Sequence, residues 1–431
     1  MIQITQYSSE GAVVLQKRLN RSESDSAAAQ AVVDEIISTV RAKGDKAVLS
    51  YTERFDHVLL RPETLRVSEE EIQEAVASVP QELLDVLKRS YERILAFHMK
   101  QKTESWFETK PNGEILGQLV RPVASCGVYV PGGKAAYPSS VLMNLAPAKA
   151  AGVGRVVMVT PPGADGKAAA VTIAAAYTAG VHEIYKVGGA QAIAALAYGT
   201  DIIPKVDKIT GPGNIYVQLA KKSVFGEVGV DSFAGPSEVL VLADGTARPD
   251  YVAADMLSQA EHDEMASAML VTDSRDLAEA VQAELERQTA LLSRKDIIEQ
   301  ALSGYGAIII VDDLMQGAGL VNLIAPEHLE LSIAEPFALL PFIQNAGSIF
   351  MGHFTPEPLG DYMAGPNHVL PTGGTARFSS ALSVDDFIKK SGIISFSKEA
   401  LLELADDTIL FAESEGFTAH AAAIKARKDL L

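Results

Sequence analysis

The sequence predicts an α/β protein with two parallel-sheet units, and three observations lead there. After Pro122, short apolar strands alternate with Ala-rich helical stretches. Val156-Val157-Met158-Val159-Thr160 runs into Pro161-Pro162-Gly163 and a helix from about Lys167; Glu183-Ile184-Tyr185-Lys186-Val187 runs into Gly188-Gly189 and a helix from Ala190 to Tyr198. Strand, tight turn, helix, strand is the pattern of a parallel sheet covered on both faces. The alternation then restarts, with buried-type strands at 238–242, 268–272, 307–311 and 347–351 and helices between them at about 250–265 and 276–304. Third, the glycine fingerprint of a complete dinucleotide unit is missing. Gly152-Val153-Gly154 and Gly211-Pro212-Gly213 both fail at the third glycine of Gly-x-Gly-x-x-Gly, and no P-loop occurs. The class is therefore two Rossmann-like but incomplete units, with helical extensions at both ends.

The outer segments follow from periodicity and capping. Residues 22–44 read as one helix: Ser and Asp residues precede it, Val33, Ile36, Ile37 and Val40 share a face, and Gly44 ends it. Residues 69–103 read as two helices broken near Pro80, and the chain from 381 reads as a helical tail. The expected organisation is an extension at 1–25, a first α/β domain from 26–122 with 237–380, a second from 123–236, and the tail at 381–431.

Composition narrows the function classes. At 48% hydrophobic and 21% charged residues over 431 positions, the chain suits a globular enzyme of two or three domains. A net charge of −18, with no basic cluster beyond the pairs Lys221-Lys222 and Lys389-Lys390, argues against nucleic acid or an anionic membrane as partner. No signal peptide is read at the start, and no apolar run approaches the ~18 residues of a membrane span. Cys126 is the only cysteine, which leaves no intrachain disulfide or thiolate metal site and fits a reducing cytoplasm.

Five places carry chemistry. Gly360 to Thr372 sets Asp361, Asn367 and His368 in a segment stiffened by Gly and Pro that fits neither helix nor strand. Three glycine turns beside apolar strands, at 129–133, 188–191 and 211–214, let a ligand approach the backbone, with Tyr129, Gln191 and Asn214 as polar ends. On the predicted helix at 257–263, Gln259 and His262 share a face and suit a metal, with Glu261 or Asp263 free to orient an imidazole. Glu327 and His328, after Pro326, suit proton transfer. Glu415 and His420 flank Gly416 in the tail. Each segment by itself also reads as an ordinary turn, cap or exposed helix face. Together they hold enough oxygen and nitrogen donors for one Zn²⁺ without a thiolate.

In combination these segments resemble the histidinol dehydrogenase family. The matching stretches are 129–133, 211–214, 234–238, 258–263, 326–329, 360–372 and 415–420, in family order and across most of the chain. The resemblance implies a zinc- and NAD-dependent oxidation of L-histidinol, through L-histidinaldehyde, to L-histidine. It implies zinc held by Gln259, His262, Asp361 and His420, and Glu327 with His328 as the acid–base pair. Substrate would meet Ser237, Gln259, His262, His328, Asp361, His368, Glu415 and His420; NAD would meet Tyr129, Gln191 and Asn214. It further implies a cytoplasmic homodimer whose tails complete the partner's sites. Cys126, in an apolar strand, is a poor choice for a covalent aldehyde adduct, so water addition with Glu327 as base is the expected second step. The competing readings are a related zinc/NAD dehydrogenase for another small alcohol such as a sulfonated diol, a zinc hydrolase or lyase, and a non-catalytic nucleotide-binding protein.

Overall fold

The computed structural model describes residues 2–8, 26–132, 136–233 and 235–429. Most of the expected 1–25 extension, the start of the helix at 22–25, Gly133 and Ala234 lie outside them. In chain order the strands are β1 (Ile4–Gln6), β2 (Trp106–Thr109), β3 (Ile115–Pro122), β4 (Ser125–Tyr129), β5 (Arg155–Thr160), β6 (Ile184–Lys186), β7 (Lys208–Thr210), β8 (Gly229–Val230), β9 (Glu238–Ala243), β10 (Ser267–Thr272), β11 (Ala307–Ile310), β12 (His328–Ser332), β13 (Ser348–Met351) and β14 (Ile388–Ser395). They form two compact units. One takes the described parts of Met1–Gln101 and Val123–Phe387; the other takes those of Lys102–Pro122 and Ile388–Leu431.

The larger unit holds both predicted parallel sheets. One has the order β6-β5-β4-β7-β8. Numbered from its first strand this is 3-2-1-4-5, with the order reversing between β4 and β7. The other is β1-β11-β10-β9-β12-β13. It repeats 3-2-1-4-5 from β9, and β1 is added in parallel beside β11, with Ile4 opposite Ile308. The inner strands are apolar on both faces because helices cover both: β9 and β10 are buried at every position.

The N-terminal helices depart from the expected grouping. Ser26–Lys43 and Asp45–Asp56 place Val33, Ile36, Val40 and Val48 in one core with Val157, Val159, Ile193 and Val217 of the β4–β8 sheet. Glu69–Ser78 and Gln81–Met99 bury Ile72, Leu87 and Ile94 with Val128, Met143 and Met158 on that sheet's other face. None of these side chains enters the cores of the β9–β13 sheet. An amphipathic stripe announces that it will be buried, but not against which sheet.

The smaller unit corrects the reading of a wholly helical tail. Ile388–Ser395 is a strand, paired antiparallel along its length with Ile115–Pro122, which in turn pairs with β2. Lys389, Lys390 and Ser391 interrupt its apolar pattern, so pairing and not periodicity makes it a strand. The helices Lys398–Ser414 and Thr418–Asp429 follow. Among the described residues no helix is long and apolar enough to cross a membrane.

Candidate active site

The centre forms at the N-terminal edge of the β9–β13 sheet. His328 opens β12, opposite Val239 of β9 and Ser348 of β13. Glu327 and His328 follow a helix, Leu314–Ile324, and His328 begins a strand. The apolar run Leu320-Val321-Asn322-Leu323-Ile324 suits either element, and Ala325 in the left-handed region (φ 53°) makes the turn between them. Ser237 precedes β9 at the same edge, its carbonyl accepting from the Ser267 N–H at 2.9 Å.

Glu327 and His328 are both buried and held by one residue of β9. The Glu238 N–H donates to Glu327 Oε2 at 2.9 Å, and the Glu238 carbonyl lies 3.0 Å from His328 Nδ1. A carbonyl only accepts, so Nδ1 carries the hydrogen and Nε2 presents its lone pair. Burial pushes the His328 imidazole down to about 4, against the pull of Asp361 and the Glu238 carbonyl, with His262 and His368 also pressing it down. It is a neutral base at physiological pH. Burial raises Glu327 well above the carboxylate range, and Glu238, Asp361 and Glu357 add to the rise.

Asp361 approaches from a different element. The Gly360–Thr372 segment is not wholly irregular: Glu357–Tyr362 forms a short helix and the loop starts after it. Asp361 Oδ1 lies 3.2 Å from His368 Nδ1. Burial would raise its carboxyl, but His368, His328 and a hydrogen bond with Glu357 hold it below the usual range. The loop is pinned from behind. Ser90 and Arg93 donate to the carbonyls of Tyr362 and Met363, and Asn367 donates to His98 Nε2 at 3.1 Å and to the Met143 carbonyl at 2.7 Å.

Gln259 tests whether these residues fit a metal. It is 1% exposed, and neither its amide oxygen nor its nitrogen has a hydrogen-bond partner among the described residues. Such a group costs stability unless something pairs with it. The helix ends at Ala260, so His262 lies just past it, exposed, with its N–H 3.2 Å from the Gln259 carbonyl. Oxygen and imidazole donors around a buried, unpaired amide fit a zinc-type cation. Glu415 and His420 lie in the smaller unit, both exposed, with the His420 ring 5.1 Å from Phe417.

Glu357 escaped the sequence reading. Its carboxyl oxygen is 3.6 Å from His328 Nε2, and donor atoms of His328, Glu357 and Asp361 all lie within 4.8 Å of one another. Burial, with Asp361 beside it, lifts Glu357 to about 9. The signal in the sequence was proximity alone: Glu357 sits one helical turn before Asp361, with Pro on either side.

The glycine turns gather at the C-terminal edge of the β4–β8 sheet, two of them flanking its switch point. Tyr129 ends β4 and its hydroxyl accepts from the Gly189 N–H at 3.1 Å. Asn214 caps the helix Ile215–Val224, Oδ1 accepting from Tyr216 and Val217 at 3.1 and 3.2 Å. Gln191 is buried with Oε1 unpaired among the described residues. Gly211 has φ +117° and a Cβ there would lie 2.0 Å from the Tyr129 carbonyl oxygen, so only glycine fits. A buried ion pair, Lys221 with Asp231, braces this turn: Lys221 Nζ donates to the Gly211 carbonyl at 3.0 Å, and the Gly211 N–H donates to Asp231 at 2.8 Å. Cys126 is fully buried, and burial pushes its thiol up to about 12, which removes it as a nucleophile.

Two Rossmann-like sheets, one presenting glycine turns at its switch point and the other a buried Glu–His–Asp centre, define a dehydrogenase-type architecture. The histidinol dehydrogenase family model matches residues 19–428. The chain is 57% identical to a histidinol dehydrogenase of Geobacillus kaustophilus, over 92% of this chain and 93% of that one. It is 52% identical to one of Geobacter sulfurreducens, over 99% and 98%. A crystal structure of histidinol dehydrogenase from Elizabethkingia anophelis superposes with a TM-score of 0.94 at 36% identity, covering 99% of this chain and 98% of that one. The chain belongs to the histidinol dehydrogenase family.

Proposed function

We propose that this protein oxidises L-histidinol to L-histidine in two NAD-dependent steps at one zinc-containing site, with L-histidinaldehyde held between them. Membership of the family at more than half identity supports the reaction. The observation that carries the site is the buried His328, kept neutral and in the tautomer that exposes Nε2.

Zinc, held by Gln259, His262, Asp361 and His420, would supply a fixed positive charge that anchors the imidazole and amine of the substrate. Tyr129, Gln191 and Asn214 would hold NAD, which would supply the hydride acceptor for both steps. His328 Nε2 takes the alcohol proton as the first hydride leaves, which yields the aldehyde. Glu327, a strong base once deprotonated because it is buried, removes a proton from water as that water adds to the aldehyde carbon. The resulting gem-diolate loses a second hydride and a proton to give the carboxylate. Ser237, His368 and Glu415 contact the substrate, and Asp361 is fixed by His368. Cys126, buried and protonated, takes no part.

In this reading 123–236 is the NAD domain, and 237–380 supplies the metal and substrate residues. The assembly is a homodimer in which Glu415 and His420 of each tail complete the site of the second copy. A single buried cysteine suits the cytoplasm. The deciding experiment is stoichiometry: two NADH per histidinol consumed, with little free aldehyde. Turnover of a sulfonated diol but not histidinol would favour a related dehydrogenase, and turnover without NADH a hydrolase or lyase.

A further inference from the structure

The face of β12 that looks toward the helix Pro249–Ala260 is unlike its neighbour. Side chains alternate along a strand, so His328, Glu330 and Ser332 share one face and Leu329 and Leu331 the other. In register with the first set, β9 presents Val239, Val241 and Ala243, which pack with Val252, Ala253 and Met256 of that helix. Glu330 therefore stands in an apolar layer, 3% exposed, where a Leu or Val would be the ordinary choice. Its carboxyl makes two connections. It is hydrogen-bonded to the carboxyl of Asp255 on the 249–260 helix, and Oε1 accepts from the Glu357 N–H at 2.9 Å, at the first turn of Glu357–Tyr362. Two carboxyls in such contact share a proton, so one is a neutral donor and the other a charged acceptor.

Each connected element carries a residue of the centre at a fixed offset. Gln259 lies four residues after Asp255 and therefore on the same helix face. Asp361 lies four residues after Glu357. His328 lies two residues before Glu330, on the same side of the strand. We infer that Glu330 is a positioning residue: through Asp255 and the Glu357 N–H it sets the spacing of Gln259, Asp361 and His328. This inference rests on the proposed zinc and histidinol site. Glu330 touches no reacting atom; it acts by holding three elements together across a layer that apolar packing would leave free to slide.

The test uses the full-length zinc-loaded protein as wild type, Glu330→Gln, Asp255→Asn, Glu330→Ala and Asp255→Ala. Zinc release to a chromophoric chelator is timed, kcat and KM for histidinol and NAD are measured, and melting is followed by circular dichroism. The amide variants can still donate and accept across the tie, so they should release zinc close to the wild-type rate. The alanine variants should release it about 10- to 100-fold faster, with kcat lowered and KM for NAD unchanged, since the glycine turns lie on the other sheet. If Glu330→Ala does not fold, Asp255→Ala, at the half-buried end of the tie, carries the same comparison. Alanine variants that hold zinc like wild type, or amide variants as poor as alanine, overturn the inference. Wild type that neither holds zinc nor oxidises histidinol overturns the underlying functional reading instead.

Discussion

Replacing Gln259 by Met should change stability with opposite sign in the presence and absence of metal. Met matches Gln in length and volume, so packing is preserved. The wild-type amide is 1% exposed with both polar atoms unpaired among the described residues. A buried donor or acceptor without a partner costs about 1–3 kcal/mol. With zinc chelated, Gln259→Met should therefore be more stable than wild type by roughly that amount. With zinc at about 1,000 times its dissociation constant, wild type gains about 4.1 kcal/mol and the variant, short of a ligand, gains much less. The order of stabilities then inverts. Urea unfolding followed by far-ultraviolet circular dichroism, in chelator and in zinc, reads both arms. A Met variant less stable than wild type in chelator would show that the amide is satisfied in the folded protein. Equal gains from zinc would remove Gln259 from the ligand set.

Other perturbations probe other parts. Lys221→Met strands Asp231 in a site where both side chains are at most 3% exposed, and should cost about 3–5 kcal/mol in urea unfolding. Adding Asp231→Asn, which removes the stranded charge and keeps an oxygen for the Gly211 N–H, should recover most of that loss, and a double variant no better than the single refutes the pairing argument. His328 has a folded pKa near 4 against 6.5 for the free side chain, so between those values the unfolded chain binds a proton that the folded one refuses. The stability it contributes is therefore complete above pH 6.5 and lost as pH falls toward 4, about 3 kcal/mol in all. His328→Gln should flatten that part of the pH–stability curve, and the acid limb of wild-type kcat/KM should lie below 6.5. Gly211→Ala drives a methyl into the Tyr129 carbonyl and should raise KM for NAD more than KM for histidinol in steady-state assays. Cys126→Ala should still release two NADH per histidinol; loss of the second step alone would restore a covalent route.

Local pattern settled much of this protein in advance. The strand–turn–helix alternation after Pro122 and again after 237 is periodic hydrophobicity, a property of neighbours in the chain, and it placed both parallel sheets. Motifs such as Gly211-Pro212-Gly213-Asn214 and Pro326-Glu327-His328 also stood out locally, because residue types that suit close backbone approach or acid–base chemistry occur there at short spacing. Other features were written nowhere locally. Ile388–Ser395 is a strand because Ile115–Pro122 lies beside it. The helices before residue 100 were expected against the wrong sheet, since an apolar stripe does not name its partner. His328 stays neutral with its lone pair on Nε2 because β9 brings the Glu238 carbonyl to Nδ1 and the surrounding core removes water. The placement of Glu357 and Glu330, two acids in unremarkable sequence, comes from burial beside His328 and Asp255. Sequence spacing determined which chemistry was present. Long-range pairing and desolvation decided which groups meet and what protonation they keep.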